Sequence, residues 1–153
     1  MLRSNKKASK DEAMNNVRPG LAEPVRDCMK PDPFSLSPVM PVHEAARALL
    51  ARDLCGAPVV DDQGVLVGIF SEADALKSTL DADYHGIGAG CVADYMSREI
   101  HGVAASATIQ EAAEMLLRHH RRILPVVQGP RLVGQLSRGD VLRRVVPARA
   151  ATS

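Results

Sequence analysis

One segment of this chain is written twice, and that duplication limits the fold more than any other feature. Val25-Arg26-Asp27-Cys28-Met29 returns as Val92-Ala93-Asp94-Tyr95-Met96, and Glu44-Ala45-Ala46 as Glu111-Ala112-Ala113, at an offset of 67. Leu49-Leu50 and Leu116-Leu117 keep that offset, as do Pro58-Val59-Val60 and Pro125-Val126-Val127. From Leu66 onward the offset is 66, pairing Leu66-Val67-Gly68 with Leu132-Val133-Gly134, Ser71 with Ser137 and Asp74 with Asp140. The missing residue falls where Asp61-Asp62-Gln63-Gly64 becomes Gln128-Gly129-Pro130. A register broken only in a turn marks a duplicated supersecondary unit.

The pattern within each copy predicts its elements. A short strand is expected near Ser35-Leu36, and again near Val103. Val42, Ala45, Ala46, Leu49 and Leu50 follow the i, i+3, i+4, i+7 spacing of an amphipathic helix over about Val42–Arg52. Ile109, Ala112, Ala113, Leu116 and Leu117 do the same over about Ile109–His119. A hairpin follows, with strands at Ala57–Val60 and Val65–Phe70, and at Leu124–Val127 and Leu132–Leu136. Each proline sits at the expected strand start, where a missing N–H is tolerated. A helix then runs from Ser71 to about Leu80, or from Ser137 to about Val145, where Pro147 ends it.

The order β-α-β-β-α therefore occurs twice, an α/β (α+β) chain. One copy of about 50 residues cannot bury both faces of its sheet. Two copies related by a pseudo-twofold axis are expected to share a core. The chain divides into a mobile polar tail at 1–20, repeat one at 21–80, a linker at 81–91, repeat two at 92–146 and a C-terminal tail at 147–153.

Charge and cysteine usage narrow the function classes. The net charge is +1, so no global field points to nucleic acid or membrane. Residues 1–30 hold seven cations against four acids, but lack the aromatics of a nucleic-acid arm. Cys28, Cys55 and Cys91 are widely spaced and odd in number, which fits a reducing, cytoplasmic compartment rather than a disulfide framework. No apolar run follows the basic N-terminus, so no secretory signal is read there, and none is long enough to span a bilayer.

Ser-x-x-Asp at a strand-to-helix junction has two readings. In the simpler one Ser caps the helix and Asp occupies the third position of the first turn. The other uses the same geometry for chemistry. Free N–H groups and a hydroxyl at a helix start suit phosphate, and a carboxylate one turn later can accept from two vicinal ribose hydroxyls. Both copies keep Ser and Asp while the residues between them change, which favours the second reading. The residue before a proline is held extended, so Ala57 and Leu124 can offer backbone groups to a planar ring edge. Taken alone, a strand start is the better account of that feature.

With Val-x-Asp-x-Met, Pro-Val-Val, Leu-Val-Gly and Ser-x-x-Asp present in both halves, the chain resembles the tandem CBS (cystathionine-β-synthase) domain, or Bateman module, over about residues 22–146. The resemblance implies sheets packed against each other, a disc-like homodimer and two clefts for adenosine-containing ligands such as AMP, ADP, ATP or S-adenosylmethionine. Each cleft is implied to take Ser-x-x-Asp from one repeat and its adenine-facing segments from the other. Cleft one then pairs Ser137, Arg138 and Asp140 with Pro33, Phe34, Cys55 and Ala57. Asp140 holds the ribose, Ser137 and Arg138 the phosphate, and Phe34 with the backbone near Ala57 the adenine. Cleft two pairs Ser71 and Asp74 with Ile100, His101, Arg122 and Leu124. Glu72 stands where cleft one has Arg138, and a carboxylate there repels phosphate unless Arg121 or Arg122 compensates. Cleft one is accordingly expected to take the charged nucleotide, and cleft two to be weak, empty or suited to a less anionic ligand; Glu72 reads equally as a favourable first-turn acid on its helix.

Other chemistry finds no support. The five histidines have no metal spacing, and no metal or required cofactor is expected. No P-loop or Gly-x-Ser-x-Gly occurs, and Gly86-x-Gly88-x-Gly90 follows no strand. Asp81 and Asp83 read as a turn and a helix end, and Cys55 as a small buried residue. His119-His120-Arg121-Arg122 reads as the solvated C-terminal end of a helix or as a phosphate-facing rim; His119 suits the first, and Arg122 fits either. With no base–nucleophile pair, an enzyme is not expected. The sequence predicts a stand-alone, non-catalytic energy or metabolite sensor that signals to a regulated protein. The alternative is a dimerisation and interaction module without ligand.

Overall fold

A computed structural model describes residues 20–85 and 90–147. The expected tail at 1–20 and C-terminal tail at 147–153 lie almost wholly outside the described residues, as does part of the linker.

The two hairpins repeat one another in detail. β2 (Gly56–Val60) pairs antiparallel with β3 (Leu66–Ser71), and β5 (Ile123–Gln128) with β6 (Arg131–Ser137). Val59 faces Gly68 and Val126 faces Gly134; each ladder then shifts register by a bulge. The lost residue lies in the turn, as the offset change implies. Pro58 stands third in β2 rather than at its start. Its carbonyl accepts from Leu36 N–H at 2.9 Å, on the side where the strand meets only a single bridging residue, so its missing N–H interrupts no long ladder.

The first segment of each repeat crosses to the other repeat's sheet. β1 (Lys30–Pro31) pairs with β6, setting Lys30 opposite Gln135, and β4 (Val103–Ala104) runs parallel to β5. The second sheet thus has the order β1-β6-β5-β4. The first sheet builds the same pattern from β2 and β3 with single bridges, Leu36 beside Val59 and Ser97 beside Ile69.

The helices are α1 (Val42–Ala51), α2 (Glu72–His85), α3 (Val92–Tyr95), α4 (Ile109–Arg118) and α5 (Arg138–Val145). A 3-10 turn at Val25–Asp27 is the counterpart of α3. Helix starts carry unsatisfied N–H groups, and each repeat supplies carbonyls to the other. Val25 and Arg26 donate to Ala107 and Ala105; Val92 and Ala93 donate to Met40 and Pro38. Ile109 N–H reaches Glu23 C=O and Val42 N–H reaches Gly90 C=O.

Two apolar clusters result, rather than one common core. Val25 belongs with Val103, Ile109, Leu116, Leu124, Val126 and Leu136 of repeat two. Val92 and Met96 belong with Leu36, Leu49, Val59 and Phe70 of repeat one. The repeats are joined by exchanged segments, and the hairpin turns add a contact: Leu66 N–H donates to Pro130 C=O and Leu132 N–H to Gly64 C=O.

Three local expectations need correction. α2 continues to His85, so Asp81 lies within a helix, where its carboxylate accepts from Tyr95 O–H at 3.0 Å. Leu50 and Leu117 are exposed while Leu49 and Leu116 are buried, because the core covers a narrower stripe than the sequence pattern offers. Cys55 is exposed, since it sits ahead of β2 at the strand mouth rather than on the strand's core face.

Candidate functional site

Each Ser-x-x-Asp caps its helix. Ser71 N–H and Oγ donate to Asp74 Oδ2 at 2.8 and 3.0 Å, and Asp74 N–H donates to Ser71 Oγ at 3.3 Å. In repeat two, Ser137 N–H donates to Asp140 Oδ2 at 2.9 Å, and Asp140 N–H returns to Ser137 Oγ at 3.0 Å. The cap uses Oδ2 in both cases and leaves Oδ1 for another partner.

The two copies then diverge. Asp140 Oδ1 accepts from Arg143 at 2.7 Å, and no ion pair is found for Asp74 among the described residues. The Asp140 side chain is 6% exposed, that of Arg143 68%. Burial pushes the Asp140 carboxyl up, but the Ser137 N–H, the Arg143 guanidinium, the Ser137 hydroxyl and the nearby Lys30 charge together hold it below its usual range.

The Arg138 guanidinium turns toward the end of α4. Its Nε donates to Arg121 C=O at 2.7 Å and its Nη2 to Leu116 C=O at 3.3 Å, closing the end of α4. Its N–H donates to Arg122 C=O, as Glu72 N–H donates to Cys55 C=O in repeat one. These backbone bonds set Cys55 beside Ser71 and Arg122 beside Ser137, each within its own repeat. Ala57 and Leu124 are buried in β2 and β5, opposite Phe70 and Leu136.

The remaining residues form matching stacks. Phe34, with Pro33 half-buried before it, lies under the Arg52 guanidinium, whose Cζ is 3.9 Å from the ring centroid. The equivalent pair at offset 67 is His101 and His119, stacked at 3.7 Å and 15°. His101 Nε2 is 3.7 Å from Glu99 Oε1, and Ile100 between them is half-buried. Desolvation in this stack, with His101, Arg118 and Arg121 close by, lowers the His119 pKa.

What links the halves is the pair of leading segments. The segment carrying Pro33 and Phe34 begins beside Asp140: Cys28 Sγ donates to Asp140 C=O at 3.3 Å, and Lys30 pairs with Gln135. The segment carrying Ile100 and His101 begins where Ser97 pairs with Ile69, two residues before Ser71. Sequence reasoning missed Lys30, Arg52 and Arg143. Arg143 was discoverable, since it lies three positions after Asp140 on one helix. Among the described residues, no cluster of three or more His, Cys, Asp or Glu could hold a metal ion, and no helix is long and apolar enough to cross a membrane.

Comparison with known proteins agrees with this architecture. MJ1225 of Methanocaldococcus jannaschii is 28% identical over 84% of this chain and 45% of its own length. An A-adding tRNA nucleotidyltransferase of Geobacter sulfurreducens is 32% identical over 85% of this chain, but the match spans only 14% of that enzyme. The chain thus spans less than half the length of either relative. Among solved structures, CBSX2 in complex with AMP superposes with a TM-score of 0.67 at 32% identity, covering 78% of this chain and 93% of that one. The family model of the CBS domain matches residues 25–81 and 92–147, one match per repeat, and the chain belongs to that family.

Proposed function

We infer that the chain is a non-catalytic regulatory module that binds an adenosine-containing ligand in clefts between its repeats and signals occupancy to a regulated protein. The observation that carries this is the duplicated helix start, Ser71–Asp74 and Ser137–Asp140, met in each case by the leading segment of the other repeat. CBSX2, of the same fold, has been crystallised with AMP. Cleft one is proposed to group Asp140, Ser137 and Arg138 with Pro33, Phe34, Cys55 and Ala57, although the backbone also sets Cys55 beside Ser71 of its own repeat. Cleft two groups Asp74 and Ser71 with Ile100, His101, Arg122 and Leu124. A ligand bridging both repeats favours one relative packing of them, and this population shift is the signal.

The module works as a homodimer in the cytoplasm. Leu50 and Leu117 are equivalent and 76% and 66% exposed, as are Leu76 and Leu142 at 65% and 56%. Four large apolar side chains at symmetry-related positions of the helices suit a second copy. The three free cysteines suit a reducing compartment.

A second reading, an interaction module without ligand, has its own support. Asp140 is already satisfied by Arg143, and Arg138 by carbonyls. Calorimetry against AMP, ADP, ATP and S-adenosylmethionine separates the two. Saturable binding supports the sensor; no heat and no thermal shift from any of them, with the protein folded, supports the interaction module.

A further inference from the structure

The guanidinium of Arg143 folds back along α5 over Gly139. A Cβ built on Gly139 would lie 3.2 Å from Arg143 Nη1 and 3.5 Å from Nη2. Gly139 therefore lets the guanidinium lie close over the first turn as it reaches Asp140 Oδ1, where a methyl would press it aside by a few tenths of an ångström. In repeat one the same positions are Ala73 and Lys77, and no ion pair to Asp74 forms. The Arg143–Asp140 pair and the glycine beneath it thus occur together in one repeat, and the other has neither.

We propose that Arg143 is a specificity-determining latch on cleft one, closed on Asp140 in the free protein and opened by a ligand phosphate. This rests on the reading of Asp140 as the ribose acceptor. A nucleoside that brings two hydroxyls to Asp140 must displace the guanidinium and gives it nothing in return. A nucleotide also displaces it, but sets an anion beside the first turn of α5. There the guanidinium can exchange one charge-assisted fork for another. Arg143 is long and mostly exposed, so the exchange needs only a rotamer change. Cleft one is therefore selective for phosphorylated ligands through Arg143, while Arg138 serves the end of α4. Cleft two, without a latch, does not discriminate in this way.

The test measures adenosine and AMP affinities by calorimetry in full-length protein carrying Asp74→Asn, which silences cleft two. Arg143→Gln and Gly139→Ala are compared with that parent. Arg143→Gln is expected to tighten adenosine by about three- to tenfold and to leave AMP little changed. Gly139→Ala, whose methyl crowds the latch, is expected to tighten adenosine and AMP alike. Unchanged adenosine affinity in Arg143→Gln, with AMP still binding the parent, overturns the latch and leaves nucleotide binding standing. If neither ligand binds the parent or the variants, the nucleotide reading fails and the latch with it.

Discussion

Gly68 and Gly134 mark the places where the exchanged segments lie tightest. A Cβ on Gly68 would stand 2.5 Å from Met96 Sδ and 3.0 Å from Ser97 O; one on Gly134 would stand 3.0 Å from Lys30 O and overlap Met29 Sδ. The methionine of one repeat thus rests on the glycine of the other, so Val-x-Asp-x-Met and Leu-Val-Gly are two halves of one contact. A methionine tip can move, but the carbonyls are held in the ladder. Gly134→Ala and Gly68→Ala are each expected to cost about 1–3 kcal/mol by overpacking, read by chemical denaturation. A loss near zero would refute the contact. At the same scale, Asp140 has a pKa below its unfolded value, for the reasons given above. Its contribution to stability is full above the unfolded carboxylate range and is lost as pH falls through the lower folded value. Wild type should therefore lead Asp140→Asn in stability near neutral pH, and the gap should close in acid. A gap that does not change with pH contradicts this.

Among the elements, the starts of α2 and α5 have two roles that mutation can separate. Ser137→Ala removes a cap accepting from Asp140 N–H and should cost about 1 kcal/mol of stability. Asp140→Ala also removes the proposed ribose acceptor. Ser137→Ala should therefore weaken ligand binding less than Asp140→Ala for a similar loss of stability, compared by calorimetry and thermal melting; the reverse order would count against Asp140 as the ribose acceptor. The elements themselves were largely legible, because hydrophobic spacing and the duplication constrain each other. The helix Ile109–Arg118 was predicted within a residue. The boundary at His85 was not, since α2 outruns its apolar pattern. The burial of Leu49 but not Leu50 could not be read either, since spacing alone does not fix the width of the buried face. The proposed cleft partners rest on the family resemblance. The divergence at Asp140 depends on a rotamer of Arg143 and on a missing methyl at Gly139, and a motif records neither.

For the whole molecule, the exchange of leading segments brings a segment of each repeat to the Ser-x-x-Asp of the other, and the proposed homodimer would use the exposed leucines as its surface. Leu117→Lys combined with Leu50→Lys should shift sedimentation toward the monomer without loss of the folded signal; an unchanged sedimentation coefficient would contradict dimerisation through these helices. The central claim is that an adenosine-containing ligand is held by the duplicated Ser-x-x-Asp. Titration of AMP into wild type and into the double variant Asp74→Ala, Asp140→Ala tests it most directly. Saturable binding in wild type, absent from a double variant of the same oligomeric state, is the predicted result. No binding in wild type, or equal binding in both proteins, would contradict it.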